Sequence, residues 1–225
     1  MRTVYVLLLI SVGYCSAQFC FTDTLNMCSG ANDNSVNCNA TYSGVHLVMT
    51  DLHEYVMHHL SHSFQYLFMS ATFANYEKHR EGFAKLYRKY SDSTWEDAID
   101  LIKYIGKRGD SMNFDVNPPD EPNERFAQNF NYNMHELESL SRALDMHKHL
   151  AIKAHTIHSE VTKRKHDYHD AETLSYLEEK FVHKHADRIR ELAGYANDVS
   201  NMVKTSDDPS LSIFLFDEYL QKHAL

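Results

Sequence analysis

Turn chemistry is scarce in this chain. Its 225 residues include only 7 Gly and 4 Pro, and three of those prolines, Pro118, Pro119 and Pro122, share one short window. Gly and Pro punctuate secondary structure more strongly than other residues, so a long chain with so few of them is built from few, long elements. Long elements that carry a helical period make an all-α domain. At this length one domain can bury most of its apolar surface, and no second domain is required.

The period is easiest to read from Asp51 to Phe73. Leu52, Val56, Leu60, Phe64, Leu67 and Ala71 recur at intervals of four, four, four, three and four. They draw an apolar stripe down a helix over roughly 50–74, which Thr50 or Asp51 can cap. His59 and Tyr66 lie seven residues apart, on one line beside that stripe. Phe83, Tyr87, Tyr90, Thr94, Asp97 or Ala98, Leu101 and Ile105 predict a second helix over roughly 80–107, stopped by Lys107-Arg108-Gly109. A third, roughly 133–164, carries Leu137, Leu140, Leu144, His147, Ala151, Ala154, His158 and Val161. A fourth, roughly 170–203, carries Leu174, Leu177, Phe181, His185, Ile189, Leu192, Ala196, Val199 and Val203.

Between the two pairs, 109–132 forms a connection of about two dozen residues. A crossover running the length of a bundle explains it, because each helix spans about 40 Å. Asp207-Asp208-Pro209-Ser210 then breaks the chain before a short fifth helix. Its Leu211, Ile213, Phe214, Leu215 and Phe216 are too apolar for an exposed tail, so it is expected to pack against another subunit. The layout is a four-helix bundle with one long crossover and a short C-terminal fifth helix.

Residues 1–17 read as a signal peptide: Arg2, the apolar run Val4 to Ile10, and Cys15-Ser16-Ala17 as the cleavage site. The run is too short to span a bilayer. The expected location is secreted, or within the secretory lumen of the ER or Golgi. Residues 18–48 show no sustained period and form an arm that keeps Cys20, Cys28 and Cys38 after cleavage. Three thiols in an oxidising compartment cannot all pair within one chain, so one is free or bonds another chain. Asn39-Ala40-Thr41, in the same arm, is a glycosylation sequon. The bundle domain occupies 49–225. A formal charge of −9 disfavours a nucleic-acid partner and suits a soluble protein that attracts cations. The 16 histidines fit either metal contact or dispersal over the surface.

Bundles of this connectivity often hold two irons, on a Glu from each of two helices and an E-x-x-H pair from each of the other two. Neither E-x-x-H nor D-x-x-H occurs in the sequence. Residues from about 46 to 222 nonetheless resemble the ferritins. The resemblance is carried by QYLFMSATF, GFAKLYRKYSD, KRGDSMNF, HELESLSRALD and SLSIFLFDEYLQK. With the leader, the Cys-bearing arm and the FDEYLQK ending, the chain is similar to the light-chain homologues of secreted insect ferritins. That resemblance implies a twenty-four-subunit hollow shell, built with a heavy-chain-like partner. Such a shell takes up Fe²⁺, stores it as ferric (Fe³⁺) mineral and serves iron transport and homeostasis.

Carried over residue by residue, the resemblance puts the ferroxidase positions on His59, Tyr66, Thr94, Asp97, His147 and Lys180, and only Tyr66 keeps its residue type. No catalytic residue is therefore expected, and the partner would supply the ferroxidase activity. Two readings of these positions are open. In one, Lys180 and Asp97 pair in the interior while the others complete hydrogen bonds, an ammonium standing where a cation would. In the other, His59, His147 and Asp97 still bind one metal ion and retain some iron-binding or ferroxidase activity. On the second helix Asp92, Glu96 and Asp100 recur at i, i+4 and i+8. The resemblance makes them a mineral-nucleating face, weakened by Lys85, Lys89 and Ser93, and a solvated face is the alternative. His169, Asp170 and Glu172 open the fourth helix, where the resemblance places a cation channel. A capping cluster at a helix start is compatible with the same residues.

Overall fold

The long uninterrupted periods fold as five helices in a computed structural model that describes residues 39–115, 134–163 and 169–223. Helix α1 is Met49–Phe73, α2 is Glu81–Lys107 and α3 is Glu136–Lys163. Helix α4 runs Ala171–Leu177, passes through a π-helical segment, Glu178–Val182, and continues as His183–Thr205. Helix α5 is Pro209–His223. The signal peptide, Cys20, Cys28, Cys38 and most of the proline-bearing connection lie outside the described residues. The bundle unit begins at Ser43, so the last residues of the expected arm belong to it.

Each helix end has a local cause. A 3₁₀ turn, Val45–Leu47, runs directly into α1, so Thr50 and Asp51 lie within the helix rather than capping it. Asp51 still favours the first turn, whose unpaired N–H groups carry partial positive charge. Helix α2 closes on Gly109, which takes φ 89°, while Gly109 N–H bonds Gly106 C=O and Asp110 N–H bonds Ile105 C=O. This double bond across a left-handed residue is the expected glycine stop. Asp208 Oδ1 accepts from the N–H groups of Ser210 and Leu211 and so starts α5.

The inward line of α1 differs from the apolar count. Leu52 and Val56 are buried as expected, but Phe64 is 50% exposed and Ala71 is exposed. The buried line continues instead through His59, Ser63, Tyr66, Met69 and Phe73. Steps of four advance about 40° each around a helix, so the apolar stripe walks off the core within three steps. Alternating steps of three and four stay on it, and here that line carries polar residues.

Two contacts fix the topology. Arg80 Nε pairs with Glu136 Oε1 at 3.1 Å, and Lys78 Nζ donates to Met134 C=O at 2.6 Å, placing the starts of α2 and α3 side by side. Arg108, just past α2, pairs with Asp170 at the start of α4. The end of α2 and the start of α3 are therefore at opposite ends of the bundle, as a one-crossover connection requires.

The core has two apolar halves. One gathers Tyr66, Met69, Phe73, Phe83, Tyr87, Leu192, Phe216 and neighbours. The other gathers Val45, Leu52, Tyr55, Leu101, Ile105, Leu177, Phe181 and neighbours. Polar side chains, His59, Thr94, His147 and His185 among them, lie buried along with these halves. Helix α5 seats Phe216 and Leu220 in the first half, and Asp217 Oδ1 accepts from Phe83 N–H at 3.0 Å. Among the described residues no helix is long and apolar enough to cross a membrane.

Candidate functional site

Four helices meet in the polar belt. Helix α1 supplies Tyr55, His59 and Tyr66, α2 supplies Thr94 and Asp97, α3 supplies His147, and α4 supplies Lys184 and His185. His59 is fully buried, and its Nδ1 lies 2.9 Å from the Tyr55 carbonyl. A carbonyl only accepts, so Nδ1 carries the proton and Nε2 is left as a lone pair. The Tyr55 hydroxyl meets His185 Nε2 at 2.8 Å. His147 stacks on Tyr66, with ring centres 5.5 Å apart, and meets Tyr90 edge-on. The Tyr66 hydroxyl donates to Ala143 C=O at 3.1 Å, and Thr94 is buried nearby on α2.

Burial dominates the electrostatics here. It holds the His59 and His147 pKa values well below the ordinary imidazole value, and neighbouring His185 lowers both further. Burial takes His185 itself down to about 4, helped by Lys184. All three rings are therefore neutral at pH 7. Asp97 is pushed up by burial, although Lys184 pulls the other way.

Lys180 does not take the place that the sequence motif assigns to it. It lies exposed in the π-helical segment, and Lys184 makes the ion pair instead, with Nζ 2.7 Å from both Asp97 oxygens. A π turn bonds i to i+5 and is wider than an α turn, so residues four apart stay aligned. Leu177, Phe181 and His185 accordingly occupy the inner line, and Lys180 falls outside it. The apolar period had already put His185 inward, whereas the motif pointed elsewhere; the geometry agrees with the period.

Part of the histidine load is interior. His53, His58, His59, His62, His147 and His185 are all buried. His62 stacks on His149, with ring centres 5.4 Å apart, and burial with its imidazole neighbours takes its pKa down to about 3. Composition could not reveal this. The signal lay in the heptad line of α1, on which His59, Tyr66 and, two turns before His59, Leu52 fall together.

The donor set does not fit a di-iron centre. Such a centre needs several oxygen ligands, whereas these positions offer three imidazoles and one carboxylate whose oxygens Lys184 already holds. Among the described residues, no three His, Cys, Asp or Glu side chains are arranged to hold a metal ion.

The outlying acids are separate from the belt. Asp92, Glu96 and Asp100 are exposed on α2, with Asp92 paired to Arg88 at 3.0 Å and Asp100 to Lys103 at 3.4 Å. His169 is exposed, while Asp170 is buried and caps α4 by accepting from Thr173 N–H at 2.8 Å. Arg108, also buried, binds Asp170 with one amino group at 2.5 Å and Glu172 with the other at 2.6 Å. Burial raises the Asp170 pKa, but the guanidinium outweighs it and holds the carboxyl below its usual value. Asn39 is exposed, with its side-chain oxygen accepting from Thr41 N–H at 2.9 Å.

Comparison with known proteins agrees with the fold. Residues 49–202 match the ferritin-like domain family. The chain is 42% identical to the ferritin light chain of Trichoplusia ni over 96% of its own length and 95% of that protein. It is 37% identical to the ferritin light chain of Drosophila melanogaster over 91% and 90% respectively. The crystal structure of Trichoplusia ni secreted ferritin superposes with a TM-score of 0.83 at 40% identity, over 92% of this chain and 99% of that one. A five-helix bundle with one crossover, a family match over 49–202 and near full-length similarity lead to one conclusion: this chain belongs to the ferritin family.

Proposed function

We propose that this chain is a light-chain-type subunit of a secreted ferritin shell, storing iron as ferric mineral without oxidising Fe²⁺ itself. The observation that carries the reading is the Asp97–Lys184 ion pair among three neutral imidazoles, where paired irons would need carboxylates. Iron is the cargo here, and its oxidation falls to a heavy-chain-like partner in the same twenty-four-subunit assembly. The leader sequence supports export through the ER and Golgi. Cys20, Cys28 and Cys38 would lock the arm, one of them to a partner chain, and exposed Asn39 would carry a glycan.

The acidic sites support weaker roles than the family resemblance alone implies. Asp92, Glu96 and Asp100 face solvent as a nucleating surface would, but Arg88 and Lys103 neutralise two of them. At the head of α4, Asp170 and Glu172 are committed to Arg108 and Lys107, so a channel there would attract Fe²⁺ less strongly. The test is direct. Shells assembled from this chain alone are expected to turn over Fe²⁺ no faster than oxidation in air, and co-assembly with a heavy-chain-type subunit should restore the rate. Rapid oxidation by this chain alone would overturn the proposal.

A further inference from the structure

Helix α2 starts on a residue that cannot cap it. Arg80 holds the N-cap position, and its side chain only donates and makes no bond to the first turn. It pairs with Glu136 instead, which leaves a cation beside the positive end of the helix. Ala84 N–H reaches the Arg80 carbonyl at 3.0 Å, so the N–H groups of Glu81, Gly82 and Phe83 have no partner within the helix. Phe83 is the third helical residue, a position that an N-cap side chain ordinarily serves. Its N–H donates to Asp217 Oδ1 at 3.0 Å, across 134 residues of chain. Asp217 is 2% exposed, and Gln221 Nε2, one turn further along α5, donates to its other oxygen at 3.3 Å. Gly82 makes room for this contact, since a Cβ there would collide with the Asp217 main-chain oxygen. Phe216, next to Asp217, rests on Phe83 and on Tyr195 of α4, with ring centres 5.9 and 5.8 Å away.

Resting on the shell reading above, we propose that α5 is a latch: Asp217 caps α2 across the fold, so that docking of α5 and ordering of the first turn of α2 are one event. Each side needs the other. Without Asp217 the Phe83 N–H loses its acceptor, and without Phe83 the buried carboxylate loses a charge-assisted bond. Two equilibria coupled in this way are reciprocal, so whatever loosens one end loosens the other by the same factor. Latched, α5 turns Phe216, Asp217 and Leu220 inward and holds Leu211, Phe214 and Leu215 outward in one orientation. Latching is therefore the step that presents the apolar face of α5 to a neighbouring subunit.

The test is hydrogen–deuterium exchange of the full-length protein, read by mass spectrometry in peptides covering 80–86 and 209–223, together with shell yield by size-exclusion chromatography. Asp217→Leu removes the acceptor and is expected to speed exchange roughly fivefold or more in both peptides and to lower the yield of shells. Asp217→Asn keeps an acceptor oxygen and is expected to stay within about twofold of the parent protein in both. Leu220→Ala loosens the seat of α5 while leaving Asp217 and Phe83 unchanged. It is expected to speed the 80–86 peptide as well, which a purely local packing role for α5 would not produce. Should Asp217→Leu not fold, Asp217→Ala takes its place. Two results would overturn the proposal: faster exchange in 209–223 while 80–86 keeps the parent rate, or an undiminished yield of shells from Asp217→Leu or its Ala replacement. The storage reading is judged separately, by Fe²⁺ oxidation in the parent protein.

Discussion

A neutral histidine inside an apolar bundle ties folding to pH. His59, His62, His147 and His185 all have folded-state pKa values depressed chiefly by burial, to about 3 for His62 and about 4 for His185. In the unfolded chain each returns to about 6.5. The unfolded state therefore binds more protons as pH falls below about 6.5, and stability drops until the folded-state pKa is reached. Each ring contributes a loss of about 1.4 kcal/mol per pH unit in that window. Asp97 works in the opposite sense, since its pKa is raised, but it is one group against four. Thermal unfolding is expected to be nearly independent of pH from 8 to 7 and to fall steeply between roughly pH 6.5 and 5. A flat midpoint across that interval would show that these rings are solvated in the folded subunit.

At the scale of elements, helix junctions carry the specific contacts. A Cβ on Gly82 would lie 2.1 Å from the backbone oxygen of Asp217, so only a residue without one lets α5 seat on the first turn of α2. Gly82→Ala should cost about 1–3 kcal/mol or detach α5, because the obstructing atom is main chain and cannot swing aside. Urea unfolding together with proteolysis of the C-terminal helix would tell these outcomes apart. At the other end of α2, Arg108→Met strands Asp170 as a buried, unpaired carboxylate. A loss of about 3–5 kcal/mol is expected, measurable by the same unfolding curve.

The same scale shows what could be read in advance. Helix α2 was legible because Phe83, Tyr87, Tyr90, Leu101 and Ile105 are both apolar and inward. Helix α1 was legible as a helix but not in its facing, because its inward line carries His59 and His62 while Phe64 points outward. Lys184 as the partner of Asp97 was missed because a π turn changes which residues align, and a turn of that width has no composition signature. The Arg108–Asp170 and Gly82–Asp217 contacts join residues far apart in sequence, where periodicity says nothing.

On the scale of the whole molecule, the exposed apolar surface points to assembly. Leu211, Phe214 and Leu215 of α5 are 55%, 48% and 58% exposed, although the opposite face of that helix is buried. Contiguous exposed apolar side chains on a soluble chain usually mark a contact with another chain. Leu215→Asp is expected to leave helical content intact while lowering the yield of shells, as seen by size-exclusion chromatography. Equal assembly by the variant would remove α5 from the list of subunit contacts. The divided core has a different consequence, for breathing. Dispersion forces bind tightly at the two apolar levels, whereas the waist between them holds His59, His147 and His185, each with at least one ring nitrogen that lacks a protein partner. Amide hydrogens of the folded subunit are expected to exchange slowly around Leu52 and Phe73 and faster around His59, with water entering the subunit at its middle rather than fraying it from the ends.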